Sequence, residues 1–408
     1  MLNAMNILKD LEYTRTGGSK EELKAAKYIQ GVLKSLNIKS NIEPFSVQDS
    51  EVKEVSLTVT KPYKKKYVVK PYLCSGNCKD LKKEVVFVKE VDDVKKYDVK
   101  DKIVLLQGRL RYWLYKDLIE AGCVGIIIGD GYLFVEDRDI DERELREPLA
   151  KLKRLPIIQF HIKDFYEMIQ KDVKEVKMTT IQKIKTGESR DVVAKIKGES
   201  DRSIIFTAHY DSTSLSKGSW DNASGSVGLI KMCEYFKEHK PYHNLIFVWC
   251  GSEERGLLGS KAYCEKHKKE LSDIDLCINL DMIGSTLGNF CGCVTGEENM
   301  VGYIEKFALE KKYPIHVYQD VYSSDSTPFA DRGVPAISFG SHNPATPIHC
   351  RFDTMYLMHE KTLNEDIDFI CAFADRMANA KIVPIKREIP DNIKEKLDYY
   401  LLRKRKTK

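Results

Sequence analysis

The sequence predicts an α/β fold in which a mixed, mostly parallel sheet lies between layers of helices, with a small β-rich domain inserted into it. Short apolar strands alternate with helices from about residue 190 onward, which is the pattern of a sheet covered by helices on both faces. The segment 50–180 differs, because lysine-rich strands dominate it. The 408 residues also suffice for two domains, at roughly 100–200 residues per domain.

The N-terminal region predicts one amphipathic helix, over residues 19–37. It starts with a capping-box pattern from Ser19 to Glu22, in which two side chains satisfy backbone N–H groups of the first turn. Apolar residues then recur at helical spacing, so one face of this helix is expected to be buried.

The segment between 50 and 180 predicts an independent β-rich unit. Its apolar runs predict strands over 84–88, 102–107, 124–129 and 155–160, and a helix over 113–121. Histidine and acidic residues do not cluster there in a way that would form a site. We therefore expect the chemistry to lie elsewhere in the chain.

After residue 190, strands and helices alternate regularly. The predicted strands are 203–208, 244–250, 274–280 and 335–340, and the predicted helices are 227–236, 260–270, 299–312 and 363–377. The predicted domains are a discontinuous main domain over 1–48 and 184–385, an insert over 49–183, and a basic C-terminal tail over 386–408. The final run from Arg403 to Lys408 is expected to be solvated and frayed, because blocks of like charge repel.

The composition argues against two classes of partner. The net charge is only +5, from 66 Lys and Arg against 61 Asp and Glu, so we expect no nucleic-acid partner. No apolar run is long enough for a transmembrane helix, which needs about 20 residues. The 11 cysteines are scattered and no signal peptide is evident, so we expect a reducing, cytoplasmic location. The oligomeric state stays open.

Ionisable side chains follow the predicted strands of the main domain. His209 and Asp211 follow the first, Glu253 and Glu254 the second, and Asp281 the third, while Asp221 precedes a helix and His349 follows the last strand. In open α/β sheets, the carboxyl ends of the strands form the site. These side chains are therefore expected to meet at one edge.

Such a cluster needs counter-charge. Buried carboxylates are costly unless they are paired, and the acids of this cluster have no obvious Lys or Arg partners nearby in sequence. Imidazole and carboxylate ligands suit Zn²⁺, with Mn²⁺ or Co²⁺ as substitutes. Two metals about 3.5–4 Å apart would clamp an attacking water and a substrate oxygen, and a carboxylate would have to bridge them.

Five motifs carry a family resemblance. They are HYDS at 209–212, DNASG at 221–225, SEERGLLGS at 252–260, NLDMIG at 279–284 and SDSTPFADRGVPAISF at 324–339. In this order they resemble the co-catalytic zinc aminopeptidases, a family that also includes glutamate carboxypeptidases and catalytically inactive transferrin receptors. The resemblance extends over residues 190–350, and the helix at 19–37 resembles the family's N-terminal helix.

The resemblance implies a role for each residue and two zinc ions per chain. His209 and Asp281 would hold one zinc, Glu254 and His349 the other, and Asp221 would bridge them. Glu253 would be the general base, and Asp211 would orient His209 through its ring N–H. The expected partner is a peptide substrate, from which an aminopeptidase releases the N-terminal residue.

One position departs from the family pattern. Some relatives place a tyrosine, which can stabilise the oxyanion, immediately before the last histidine, but this chain has Ile348 there. Tyr322 is a candidate replacement, although it could equally be an aromatic residue that packs the loop. The free amine of the substrate would dock near an acidic group, either Glu253 or Asp325.

The insert resembles a protease-associated domain. The match lies in VKDKIVLLQGR at 99–109, AGCVGIIIGD at 121–130 and LPIIQF at 155–160. In the family, such a domain helps to cover or present substrate, and the alternative is a plain structural lid.

Three other functions stay open. A carboxypeptidase for acidic C-termini needs arginines that converge on the substrate carboxylates, and only Arg255, Arg332 and Arg351 lie near the motifs. A glutaminyl cyclase of the same fold would bind a single zinc. A receptor-like, non-catalytic homologue is disfavoured because every ligand position holds a residue that can bind metal.

Overall fold

The computed structural model describes residues 2–343 and 348–406. The chain divides into two compact units, one formed by 1–47 with 188–408 and the other by 48–187. We call the first the main unit and the second the insert.

Regular secondary structure accounts for most of both units. The strands are β1 Ser40–Lys61, β2 Lys65–Tyr67, β3 Lys70–Pro71, β4 Cys78–Phe87, β5 Ile103–Gln107, β6 Gly125–Asp130, β7 Ile157–His161, β8 Glu175–Ile196, β9 Ser203–His209, β10 Asn244–Cys250, β11 Ile274–Leu280, β12 Asn289–Thr295, β13 His316–Gln319 and β14 Ala336–His342. The helices are α1 Ala4–Asp10, α2 Lys20–Ser35, α3 Tyr112–Glu120, α4 Glu147–Ala150, α5 Ile162–Gln170, α6 Ser224–Glu238, α7 Leu258–Lys266, α8 Asn299–Lys311, α9 Ser326–Ala330, α10 Glu360–Asn379 and α11 Asp391–Tyr400. None of these helices in the described part of the chain is long and apolar enough to cross a membrane.

The sheet of the main unit has the strand order β13-β12-β14-β11-β9-β10-β8. Its centre is parallel, because β10, β9, β11 and β14 pair in the same direction. β12 and β8 run antiparallel to their neighbours β14 and β10. The predicted α/β class, with a mixed and mostly parallel sheet, is thus confirmed.

Both faces of this sheet are buried. On β9, Ile204 and Phe206 point into one apolar cluster, which also contains residues of α2, α6 and α10. Ile205 points into a second cluster, with Val248 of β10 and residues of α7 and α9. The strands therefore read as continuous apolar runs, as expected for a parallel sheet between helices.

Helix α2 begins where its capping residue predicts. The Ser19 hydroxyl accepts a hydrogen bond from the Glu22 backbone N–H at 3.0 Å, which satisfies one free donor of the first turn. The buried face of the helix includes Ala26, Ile29 and Leu33. The predicted helix is confirmed, and it ends two residues earlier than predicted.

The four predicted strands of the insert correspond to β4–β7 and the predicted helix corresponds to α3, although the end residues differ from those predicted. Strands β4, β5, β6 and β7 are parallel neighbours, and apolar clusters lie on both faces of their sheet. Helix α5, which follows β7 directly, was not predicted.

The segment 386–408, which its basic composition marks as a C-terminal tail, is helical in its central part. Helix α11 lies there, with Ile393 and Leu397 buried in a cluster that also contains Ile389 and Ala330. These apolar residues recur four positions apart, which places them on one face of a helix. Because most of the residues between them are charged, the composition of this segment does not indicate an apolar helix face.

Candidate metal centre

Three neighbouring strands bring ionisable side chains to one edge of the main sheet. β9 ends at His209, β10 ends three residues before Glu253, and β11 ends immediately before Asp281. Cys250 pairs with His209 across β9 and β10, so the residues that follow leave the sheet side by side. Parallel strands present their carboxyl ends at the same edge.

The five predicted ligands lie together. His209, Asp221 and Asp281 form one group, and Asp221, Glu254 and His349 form a second, with candidate ligand atoms within 4.8 Å of one another in each group. Asp221 is the member common to both groups.

Asp221 lies between the two histidines. Its Oδ1 is 3.2 Å from His209 Nε2, and its Oδ2 is 3.1 Å from His349 Nε2. Each oxygen of this one carboxylate therefore faces a different imidazole. That arrangement is what a carboxylate bridging two metal ions requires.

The remaining ligands complete the two groups. Asp281 Oδ1 lies 3.5 Å from His209 Nε2, and Glu254 Oε1 lies 3.1 Å from His349 Nε2. Asp281 Oδ1 is buried and accepts no hydrogen bond among the described residues. A buried acceptor without a hydrogen bond costs about 1–3 kcal/mol, so a cation at this point would satisfy it. The donor set of imidazole nitrogens and carboxylate oxygens fits zinc.

The electrostatics of the cluster reflect its excess of negative charge. Burial lowers the pKa of His349, but the neighbouring Glu254 and Asp221 carboxylates outweigh it and raise the pKa to about 11. Burial likewise opposes charge on His209, whose pKa the nearby carboxylates, Glu253 foremost, nevertheless raise. Burial raises the pKa of Asp221, but hydrogen bonds from the two histidines outweigh it and lower the pKa well below its usual range.

Glu253 borders this cluster. Its Oε2 lies 4.0 Å from His209 Nε2. Burial raises the pKa of Glu253, His209 opposes this, and the Glu254 carboxylate raises it further. A carboxyl with a raised pKa can both take and return a proton near neutral pH.

Asp211 contacts three parts of the site. Its Oδ1 accepts the Glu253 N–H at 3.0 Å, its Oδ2 accepts the Glu254 N–H at 3.3 Å, and its Oδ1 lies 3.5 Å from His209 Nδ1. Asp211 is thus held by two backbone N–H groups after β10, whereas His209 Nδ1 makes no hydrogen bond among the described residues. Asp211 therefore fixes the backbone of the predicted base and of a predicted ligand.

Two residues that support Asp221 were not predicted. Asp353 accepts the backbone N–H groups of Trp220 at 2.7 Å and of Asp221 at 3.1 Å. Its position four residues after His349 was the only signal in the sequence. Asn222 accepts N–H groups from Gly225 and Met282 and donates to the Leu280 carbonyl at 2.9 Å, so it ties the DNASG motif to the end of β11.

Arg15 is the third residue that the sequence did not reveal. Its side chain is fully buried, and it donates to backbone carbonyls of Leu11, Tyr13, Tyr210, Lys217 and Gly218. The last three acceptors lie in the loop between His209 and Asp221. A single arginine near the N-terminus carries no sequence signal for this contact, because its partners lie about 200 positions away.

The two candidate substrate-binding residues differ in accessibility. The Tyr322 hydroxyl lies 3.3 Å from the point where a Cβ on Gly340 would lie, and that same point is 2.2 Å from the Asp281 carbonyl oxygen. Tyr322 is therefore beside the backbone of a predicted ligand. Asp325 is fully buried, and burial raises its pKa to about 7 against the opposing effect of His209. Ile348 packs against the apolar core.

Comparison with curated proteins identifies relatives of part of the chain. The aminopeptidase YwaD of Bacillus subtilis is 32% identical over 149 residues, which are 35% of this chain and 33% of that protein. Leucine aminopeptidase 2 of Trichophyton equinum is 29% identical over 189 residues, which are 43% of this chain and 38% of that protein. The matched part thus spans 33% to 38% of the length of these two relatives.

Solved structures share the fold over nearly the whole chain. BSAP, a zinc aminopeptidase from Bacillus subtilis, superposes with a TM-score of 0.76 at 22% identity, over 95% of this chain and 98% of that one. The aminopeptidase from Aneurinibacillus sp. strain AM-1 gives 0.75 at 24% identity, over 94% of this chain and 95% of that one. At these identities the likeness establishes the fold alone.

A family model described as Peptidase family M28 matches residues 191–374. This range contains all of the predicted metal ligands and the predicted base. This match agrees with the family resemblance that the motifs indicated.

Proposed function

We propose that this chain is a two-zinc aminopeptidase that releases N-terminal residues from peptides. The observation that carries the proposal is the position of Asp221, whose two oxygens lie 3.2 Å and 3.1 Å from two different histidines. The match to Peptidase family M28 and the aminopeptidases among the relatives support the same reaction.

The ligand set divides into two sites. His209 and Asp281 would hold one zinc, Glu254 and His349 would hold the second, and Asp221 would serve both. Bound zinc would polarise the scissile carbonyl and lower the pKa of the attacking water towards about 7. The histidines must be neutral to bind metal, so zinc binding should release protons.

Glu253 moves the proton in this proposal. It accepts a proton from the attacking water and returns it to the amine that leaves. The Asp211 contact to its backbone N–H, at 3.0 Å, fixes where its side chain starts. Glu254, one residue later, is held by the other oxygen of Asp211 at 3.3 Å, so the two adjacent carboxylates keep separate roles.

Tyr322 is proposed to donate a hydrogen bond to the substrate oxygen as negative charge develops there. Burial raises the pKa of its hydroxyl, so Tyr322 remains a donor at neutral pH. For the free amine of the substrate, we favour Glu253 over Asp325, because the side chain of Asp325 has no exposed surface.

The carboxypeptidase alternative finds little support in the arginines. Arg332 lies 3.7 Å from Glu265 and donates to the Pro328 carbonyl at 3.1 Å. Arg255 donates to the Gly17 carbonyl at 3.1 Å. Arg332 and Arg255 are thus engaged with the protein itself.

For the insert, we propose the role of a protease-associated domain that covers or presents substrate.

Two measurements on one sample test the proposal. A panel of aminoacyl and N-blocked chromogenic substrates should give hydrolysis only where the amine is free, and metal analysis should give two zinc ions per chain. Hydrolysis of substrates with an acidic C-terminus and a blocked amine would favour the carboxypeptidase instead. A single zinc with release of ammonia from N-terminal glutamine would indicate the cyclase.

A further inference from the structure

The C-terminal helix α11 packs against the segment that carries Tyr322. Ile389, Ile393 and Leu397 form an apolar cluster with Ala330, and Val321 packs against this cluster from the side. Val321 is the residue immediately before Tyr322. This cluster therefore fixes one flank of the tyrosine.

Polar contacts fix the other flank. The Ser323 hydroxyl lies 2.7 Å from the Tyr400 hydroxyl, and Ser323 is the residue immediately after Tyr322. Arg403, just beyond α11, binds both oxygens of Asp331 at 2.6 Å and 2.7 Å. Such bidentate pairs are geometrically specific, so the segment 321–331 is held by α11 at both ends.

The opposite side of this segment is tied to the metal centre. The Ser324 hydroxyl accepts a hydrogen bond from the Asn279 amide at 3.0 Å, and Asn279 is two residues before Asp281. The Thr327 hydroxyl donates to the Tyr322 carbonyl at 2.5 Å. Tyr322 thus lies in a short segment that is held between β11 on one side and α11 on the other.

We propose that α11, through Tyr400 and Arg403, is a positioning element that holds Tyr322 in place for substrate at the metal centre. The proposal rests on the proposed function, in which Tyr322 contacts the substrate oxygen. Tyr400 and Arg403 act through Tyr322 and do not touch substrate. The alternative hypothesis is a purely structural role, in which α11 contributes only to the stability of the main unit.

The first test compares two tyrosines of the same helix. Tyr400→Phe removes the hydroxyl that contacts Ser323, whereas Tyr399→Phe removes one that donates to Glu395 at 2.8 Å within α11. Tyr400→Phe is expected to lower kcat about three- to tenfold, the effect of roughly one hydrogen bond. KM, zinc content and the midpoint of urea unfolding should not change. Tyr399→Phe should leave all four quantities unchanged.

A double mutant separates positioning from stability. Tyr322→Phe alone should lower kcat about 100-fold, as loss of one donor to a developing oxyanion does. In the Tyr322→Phe background, Tyr400→Phe should then cause no further loss, because its only route to the substrate is gone. Losses that multiply would show that Tyr400 affects kcat by a route other than Tyr322, and a purely structural role predicts no loss of kcat from Tyr400→Phe in either background.

Arg403→Gln is a second, surface variant that should not affect folding, with Lys404→Gln as its control. Arg403→Gln should lower kcat by the same factor as Tyr400→Phe, whereas Lys404→Gln should leave kcat unchanged. Unchanged kcat in both Tyr400→Phe and Arg403→Gln, or losses that multiply with Tyr322→Phe, would overturn the positioning role and leave the proposed function intact. If the unchanged chain shows no zinc-dependent hydrolysis of free-amine substrates, both proposals fail.

Discussion

The main unit and the insert treat their charges differently. In the insert, ion pairs such as Lys83–Asp101 and Lys102–Asp98 lie at the surface, with the acidic side chains 69% and 78% exposed. In the main unit, Asp211, Asp221 and Asp281 are buried. Exposed pairs contribute about 0–1 kcal/mol, whereas breaking a buried pair costs about 3–5 kcal/mol.

Buried charged side chains indicate where in this chain a functional site lies. A chain keeps buried charges at a cost to stability, and here they surround the carboxyl ends of three parallel strands. The insert has an apolar core and carries ion pairs such as Lys83–Asp101 at its surface.

The largest effect on zinc content is expected from substitution of Asp221. Asp221→Ala should empty both metal sites and abolish hydrolysis, because its two oxygens belong to both ligand groups. His349→Ala should mainly empty one site. Zinc per chain, measured by atomic emission after dialysis, distinguishes them, and Asp101→Ala in the insert is the matched control that should keep both zinc ions. Full zinc occupancy in Asp221→Ala would refute the bridging role.

Substitution of the adjacent residues Glu253 and Glu254 distinguishes the proposed base from the proposed metal ligand. Glu253→Gln keeps the size of the side chain but cannot take a proton, so kcat should fall about 10²–10⁴-fold while both zinc ions remain. Glu254→Gln should instead weaken one metal site. Zinc content and kcat should be measured on both variants side by side. If Glu253→Gln loses zinc and Glu254→Gln keeps it, the two roles are exchanged.

Burial of an acidic side chain should also make the stability of the fold depend on pH. Burial raises the pKa of Glu22 to about 8, against the opposing hydrogen bond from Ser189, so the folded state holds a proton that the unfolded chain loses from about pH 4.5. Stability from this group is present below about pH 4.5 and is lost as pH rises to about 8. The loss should be on the order of a few kcal/mol.

Glu22→Gln should remove that slope. Urea midpoints of the metal-free protein, compared between this variant and the unchanged chain from pH 5 to pH 8, measure it. Asp101→Asn in the insert should leave the slope as it is. Parallel curves for Glu22→Gln and the unchanged chain would mean that Glu22 is ionised in the folded state.

The smallest effect on the metal centre is expected from the insert itself. Replacing residues 50–180 by a short Gly-Ser linker should leave zinc content and hydrolysis of single-residue chromogenic substrates nearly unchanged. It should alter the preference for longer peptides, which is read from kcat/KM over a peptide-length series. Loss of zinc on excision would show that the insert belongs to the metal site.

The sequence predicted the parts of the site that depend on local pattern. His209, Glu253 and Asp281 follow apolar strands, and the direction of parallel strands alone brings such residues together. Arg15 and Asp353 were not predicted because their roles depend on contacts between distant parts of the chain, such as the bond from Arg15 to the Gly218 carbonyl at 2.8 Å. Helix α11 was missed because three apolar residues in a charged run are a weak signal.

The contacts of Arg15 and Asp353 have a consequence for biosynthesis. The loop that Arg15 binds is made about 200 residues after Arg15 itself, and His349 and Asp353 are made later still. A nascent chain therefore cannot assemble the second ligand group until His349 has left the ribosome. We expect hydrolysis in a synchronised cell-free translation to begin only after this point.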